Sequence, residues 1–200
     1  MKDINMTGAI LAGGRSRRMG FNKAFIKTEG KTIIERTLGI LKQGLNIDEV
    51  FIVANDIDAY EFLDCRVYSD IIKGAGSMGG IYTALFHSAS EHTFIAACDM
   101  PLINQKAIQT LSGSIDGKAF AVVPFIQGRF HPLHAIYSKK CLKPIDGLLK
   151  KGEKRISTLL SDIKIKKLDE RDFNGIPIED SVRNINTKED LIGAGLFQAP

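Results

Sequence analysis

Short, wholly apolar runs that alternate with helical patterns restrict the fold of this chain more than any other feature. Gly8-Ala9-Ile10-Leu11-Ala12, Val50-Phe51-Ile52-Val53-Ala54, Phe94-Ile95-Ala96-Ala97-Cys98 and Ala119-Phe120-Ala121-Val122-Val123 contain no charged residue. A strand wetted on one side alternates apolar with polar residues, whereas one apolar at every position is covered on both faces. Arg66-Val67-Tyr68 reads as a shorter strand. Between these runs, residues 32–43 put Ile33, Ile34, Thr37, Leu38 and Leu41 on one helical face. Residues 80–88 turn Ile81, Ala84 and Leu85 inward, and residues 106–111 are helical. The expectation is an α/β chain, a mostly parallel sheet between two helical layers. In its second half Gln127-Gly128 turns a hairpin towards His134-Ala135-Ile136-Tyr137. Residues 139–150 and 156–160 read as helices, and residues 163–168 and Val182-Arg183-Asn184-Ile185 as strands. Residues 193–200 read as a loose tail.

Composition narrows the class. Apolar residues make up 44% and charged residues 25% of 200 positions, which excludes a disordered or fibrous chain and suits a single domain. No run approaches the roughly 18 apolar residues of a membrane span, and the N-terminus lacks a signal-peptide core, so an intracellular, cytoplasmic protein is expected. Cys65, Cys98 and Cys141 are odd in number and far apart, which fits inert thiols rather than a disulfide framework or a zinc site. The net charge, 27 − 23 = +4, is too small for a nucleic-acid coat but suits an acidic small molecule.

Open α/β sheets bind ligands beyond the carboxyl ends of their strands. The segment there after the first strand is Leu11-Ala12-Gly13-Gly14-Arg15-Ser16-Arg17-Arg18-Met19-Gly20-Phe21-Asn22-Lys23. Its paired glycines allow a sharp turn and a close backbone approach, and their N–H groups can cradle phosphate oxygens. Arg15, Arg17, Arg18 and Lys23 bring four positive charges with no acid among them. A bound polyphosphate would relieve their repulsion. The segment is not a Walker loop, because Phe21 follows Gly20. Asp99 follows the apolar strand ending at Cys98. Magnesium takes one or two carboxylates with phosphate oxygens and water, so one aspartate beside a phosphate loop suffices, though a helix cap is the alternative. Asp70, after Arg66-Val67-Tyr68-Ser69, can accept two hydrogen bonds from a guanine edge or serve as a loop acid. Asn55 is a candidate for the same pocket or a turn former. Gly74-Ala75-Gly76-Ser77-Met78-Gly79 fits the dinucleotide fingerprint, with Asp99 some way downstream, and supports a rival reading as an NAD-binding oxidoreductase.

Taken in order, Leu-Ala-Gly-Gly-x-Ser-x-Arg-Met-Gly-x-x-Lys (residues 11–23), Asp70, Cys98-Asp99-Met100-Pro101, Arg129-Phe130-His131-Pro132, Gly152-Glu153-Lys154-Arg155 and Asn184-Ile185-Asn186-Thr187 resemble the molybdenum cofactor guanylyltransferases, the MobA family. The resemblance runs from about residue 7 to residue 192. It implies a three-layer, Rossmann-like nucleotidyltransferase fold that joins GMP from GTP to molybdopterin and releases pyrophosphate. It implies a nucleotide-binding half near residues 1–112 and an acceptor half near residues 113–192. Lys23, Asp99, Arg17 and Arg18 would be catalytic. Leu11, Ala12, Gly13, Gly14, Lys23, Asn55, Asp70 and Asp99 would bind the nucleotide. Residues 76–80 would form a loop closing the pocket. His131, Asn184 and Asn186 would face the acceptor. Mg²⁺ would sit on Asp99, and other proteins of the pathway would be partners, with no nucleic acid and no membrane. Asn22 stands where the family often has aspartate. A sister transferase using CTP, and a nucleotide-binding regulator without catalysis, are the further rivals. Thr187 with Asp190 forms a capping-box pattern.

Overall fold

Along each central strand, successive side chains enter different cores, and this places helices on both faces of one sheet. Ile10, Ile52, Phe94, Val122 and Ile136 pack in one cluster, while Ala9, Leu11, Phe51, Val53, Ile95 and Val123 pack in another. The computed structural model describes residues 5–13, 23–28, 30–43, 47–185 and 187–196. In chain order, strand β1 is Met6–Leu11. A short pair, β2 (Lys27–Thr28) and β3 (Lys31–Thr32), leads into helix α1 (Ile33–Lys42). Then come β4 (Ile47–Val53), β5 (Arg66–Tyr68), α2 (Gly76–His87), β6 (His92–Ala97) and α3 (Gln105–Gly113). The second half contributes β7 (Ala121–Ile126), β8 (Arg129–Phe130), β9 (His134–Ser138), α4 (Leu142–Lys150) and α5 (Ile156–Asp162). It closes with β10 (Ile165–Leu168), α6 (Ile178–Ser181) and α7 (Lys188–Gly193).

The main sheet has the order β10-β7-β9-β6-β1-β4-β5, with β8 paired to β7. β1 is parallel to β4 and β6, β4 to β5, and β7 to β10, whereas β9 runs antiparallel to both its neighbours. Side chains of α1, α3 and α6 complete one core, and those of α2, α4 and α5 the other. The expected three-layer, mostly parallel α/β architecture is the one found. No helix among the described residues is long and apolar enough to cross a membrane.

Local signals set several boundaries. Thr32 caps α1 in a capping box: Glu35 N–H donates to Thr32 Oγ1 at 3.3 Å, and Thr32 N–H donates to Glu35 Oε2 at 2.7 Å. All five residues expected on the inner face of α1 are buried. Thr187 and Asp190 form the expected capping box at α7.

Four expectations need correction. Residues 76–80 are not a loop, since α2 begins at Gly76. The glycines there serve packing, because a Cβ on Gly79 would lie 2.7 Å from Ala75 Cβ and one on Gly80 would lie 3.1 Å from Leu11 Cδ1. The turn at Gln127-Gly128 forms, with φ of 53° and 75°, but it returns first into β8; β9 begins only after residues 131–133. Residues 182–185 are not a strand. They follow α6 irregularly, and Ile185 N–H donates to the Asp99 carbonyl at 2.8 Å. Within the stretch expected as a loose tail, Leu196 is 8% exposed and packs with Ile33 and Ile185, whereas residues 197–200 lie outside the described residues.

Candidate nucleotide site at the strand ends

The site is built on a row of register-matched residues. Leu11 of β1 pairs with Val53 of β4 on one side and Ala97 of β6 on the other, and Val53 pairs with Tyr68 of β5. Backbone hydrogen bonds carry the ladder one residue further, from Ala12 N–H to Val53 O, Ala54 N–H to Tyr68 O and Cys98 N–H to Leu11 O. Gly13, Asn55, Asp70 and Asp99 each stand two residues beyond that row. Four strands at 4.7–4.9 Å spacing spread these positions over about 14 Å along the carboxyl edge of the sheet. The order is Asp99, Gly13, Asn55, Asp70. β1 lies between β6 and β4, so the chain's direction of travel across the sheet reverses beside it. This is the switch point at which open α/β sheets form their ligand crevice.

At the β4–β5 end, Asn55 Nδ2 donates to Asp70 Oδ2 at 2.9 Å. Gly13 closes in on the pair: a Cβ there would lie 3.6 Å from Asn55 Nδ2 and 3.7 Å from Asp70 Oδ2. Partial burial raises the Asp70 pKa above its ordinary value, and the Asn55 hydrogen bond opposes that rise. The second carboxylate oxygen is a natural acceptor for an N–H donor of a ligand base.

Asp99 is half-buried at the end of β6, next to β1. Among the described residues no group of three or more His, Cys, Asp or Glu gathers that could hold a metal ion. The donor set therefore does not form a protein cage. A lone carboxylate such as Asp99 has the chemistry to take magnesium, which keeps water and needs only one or two carboxylates when phosphate oxygens complete its shell. The irregular segment 182–185 brings exposed Asn184 next to a residue bonded to Asp99.

Leu11 and Ala12 are buried, so their backbone rather than their side chains borders the edge. Tyr60 secures both sides of the glycine-rich segment, a role the sequence did not signal. Its hydroxyl donates to Ala12 O at 3.4 Å, and the Phe25 ring packs on its ring at 5.1 Å between centroids. Phe25 ends a helical turn, Lys23–Phe25, whose Ala24 is fully buried. The side chain of Lys23 lies outside the described residues, as do Gly14, Arg15, Arg17, Arg18, Asn22 and Asn186. On the β6–β9 side, Leu133 O accepts from Ala97 N–H at 3.0 Å, so residues 131–133 overhang the same edge. His131 is 7% exposed, with Nε2 3.3 Å from Ile126 O, and burial lowers its pKa. In this arrangement its ring supports the hairpin.

The alternative fingerprint at residues 74–79 follows β5, the three-residue edge strand, away from the switch point. Lys154 Nζ donates to Gly74 O at 2.9 Å, tying that turn to the segment before α5. Burial holds two of the three cysteines as thiols, pushing Cys65 up to about 11 and Cys141 up to about 12. A separate cleft of about 860 Å³, lined by Ile103, Lys106, Thr110 and Asn174 among others, includes none of the residues above.

A family model described as a MobA-like NTP transferase domain matches residues 8–167. The molybdenum cofactor guanylyltransferase of Desulfosudis oleivorans is 36% identical over 188 residues, which is 93% of this chain and 92% of that protein. A probable molybdenum cofactor guanylyltransferase of Aquifex aeolicus is 34% identical, over 91% of this chain and 86% of its own length. The crystal structure of molybdopterin-guanine dinucleotide biosynthesis protein A from Archaeoglobus fulgidus superposes with a TM-score of 0.80 at 26% identity. That match covers 94% of this chain and 96% of the other.

Proposed function

This chain belongs to the MobA-like NTP transferase family and is a nucleotidyltransferase, and we propose that it transfers GMP from GTP to the phosphate of molybdopterin. The oxidoreductase reading is set aside by that membership. The observation that carries the proposal is the line of Asp99, Gly13, Asn55 and Asp70, each two residues beyond a register-matched strand position. On this reading the base lies at the β4–β5 end, where Asp70 accepts hydrogen bonds from the guanine edge and Asn55 orients its carboxylate. The triphosphate lies over the turn after β1, against the N–H groups of Gly13 and Gly14 and the charges of Lys23, Arg17 and Arg18. The acceptor lies on the far side of Asp99, towards residues 131–133 and Asn184, in the half formed by residues 113–192; Asn186 belongs to the same group.

A molybdopterin phosphate oxygen attacks the α-phosphorus of GTP. The new P–O bond forms there, the bond to the bridging oxygen of the β-phosphate breaks, and its electron pair leaves with pyrophosphate. The nucleophile is already an ionised phosphate, so no general base is required. The protein's task is to align and neutralise two anions. Asp99 would hold magnesium together with phosphate oxygens and water. Magnesium there supplies positive charge against the phosphates. Lys23 holds the triphosphate, and Arg17 or Arg18 takes up charge on the departing pyrophosphate. A cytoplasmic location and exchange of molybdopterin with other proteins of the pathway go with this reading.

Thermal shifts with GTP, CTP, ATP and NAD, each with and without Mg²⁺, test the ligand. A nucleotide at about 100 times its dissociation constant adds about 2.7 kcal/mol. Selectivity for GTP, enlarged by Mg²⁺, is the expected result, and a CTP-selective shift refutes guanine recognition. Pyrophosphate release with molybdopterin then tests the transfer. Lys23→Ala and Asp99→Ala should fold yet lose most turnover, and wild-type rates in either variant remove the role given to that residue.

A further inference from the structure

The loop that carries Asp99 joins β6 to α3, and one segment grips it at both ends. Asn104 N–H donates to Ser181 Oγ at 2.9 Å. Ile185 N–H donates to Asp99 O at 2.8 Å. Between these bonds, Met100 and Ile103 are 3% and 5% exposed, so the loop is seated as well as tied. The gripping segment is itself fixed. Ile185 packs with Ile33 and Leu196, and fully buried Ser181 has its Oγ 3.3 Å from Nε2 of fully buried His134. His134 pairs with Ala96 of β6 and sets its ring edge-on to Phe94, 5.2 Å between centroids. A chain of contacts thus runs from the central strand through His134 and Ser181 to the loop that leaves that same strand.

We propose that Ser181, oriented by His134, is a positioning residue that fixes the Asp99 loop for metal–triphosphate binding. The inference rests on the role given to Asp99 above. Outer partners that orient a ligating group are worth about 10–100-fold in metal affinity or activity. A hydroxyl that takes an N–H at the far end of the loop acts in that manner, through the backbone rather than by touching substrate. Nothing in the local sequence of Ser181 signals it, because its two partners are 77 and 47 residues away.

The test uses the full chain with Ser181→Ala, the near-isosteric Ser181→Cys, and the pair His134→Gln and His134→Leu. Two quantities are read: amide hydrogen exchange across residues 99–104, and the Mg²⁺ concentration giving half-maximal turnover with GTP. In Ser181→Ala, exchange should quicken in residues 99–104 ahead of the rest of the sheet, and half-saturating Mg²⁺ should rise about tenfold or more. Ser181→Cys, which keeps the packing with only a weak acceptor, should show the same sign if the alanine variant does not fold. His134→Gln should recover part of the loss seen in His134→Leu. Unchanged exchange overturns the proposal, as does quickened exchange with unchanged Mg²⁺ dependence. Asp99→Asn separates the two readings. If that variant keeps wild-type turnover and Mg²⁺ dependence, the role of Asp99 fails whatever Ser181 does. If it loses them while Ser181→Ala matches wild type in both readouts, only the positioning inference fails.

Discussion

Acidification should destabilise this protein well above the range where carboxylates titrate, and one buried side chain accounts for a calculable part of the effect. His134 is fully buried, and desolvation is the first cause of its pKa falling from 6.5 to about 3, with repulsion from His131 second. Ser181 Oγ contacts Nε2, whereas Nδ1 has no hydrogen-bond partner among the described residues, so little holds the charged ring. The folded pKa lies below the unfolded one. The unfolded chain therefore takes up the proton first, and stability falls as pH drops from about 6.5 towards about 3. Each unit in that window costs about 1.4 kcal/mol. From pH 7 to pH 5 the loss from His134 alone is about 2 kcal/mol, or about 4–8 °C in Tm for a chain of this size. Burial also lowers His131 and His92 and adds slope of the same sign, so the wild-type curve is not sufficient by itself. Urea unfolding of wild type and His134→Gln at half-unit steps from pH 7 to pH 5 isolates the term. The difference in stability between the two should shrink by about 2 kcal/mol across that range. Parallel curves would refute the reasoning, because they would mean that His134 binds a proton equally in both states.

Other substitutions test separate parts of the account. If Asp70 reads guanine as proposed, recognition rests on a carboxylate that burial makes protonate at a higher pH than an ordinary aspartate, with Asn55 opposing that rise. GTP affinity should therefore fade on acidification, and Asn55→Ala should move the fade to higher pH; isothermal titration across pH 4 to 7 reads this. Asp70→Ala should cut the GTP-over-CTP preference by about 10-fold or more, in keeping with the loss of hydrogen bonds to a charged group. Gly79→Ala meets Ala75 Cβ at 2.7 Å and the Ile72 carbonyl at 3.1 Å, so it should cost about 1–3 kcal/mol in urea unfolding. Gly80→Ala meets only the flexible Leu11 side chain, at 3.1 Å, and should cost less because that side chain can shift, while both alanines regain about 1 kcal/mol of helix propensity. Thr32→Ala removes the α1 cap and should cost about 1 kcal/mol by the same assay.

Much of this molecule is written locally. An unbroken apolar run requires cover on both faces, so the layers and strands β1, β4, β6 and β7 follow from residues a few positions apart. The face of α1 and the Thr32–Glu35 and Thr187–Asp190 caps depend on spacings of three and four. The chemistry of the strand ends is local too, because Gly13, Asn55, Asp70 and Asp99 each follow directly on a legible strand. The family resemblance implied a loop at residues 76–80, yet these residues lie in a helix, where close packing of Gly79 against Ala75 and of Gly80 against Leu11 outweighs the poor propensity of glycine. Residues 182–185 looked like a strand because Val182 and Ile185 are apolar, but both are buried without a ladder. Lateral order is a different kind of fact. That β6 and β4 flank β1, that β9 alone runs antiparallel to its neighbours in the strand order, and that Ser181 meets both Asn104 and His134 are decided by which arrangement buries every apolar face at once. Those partners lie tens of residues apart, and no spacing along the chain encodes such a distance. The sequence supplied the donors and acceptors at the edge of the sheet, and tertiary packing alone decided their order along it and the groups that hold them still.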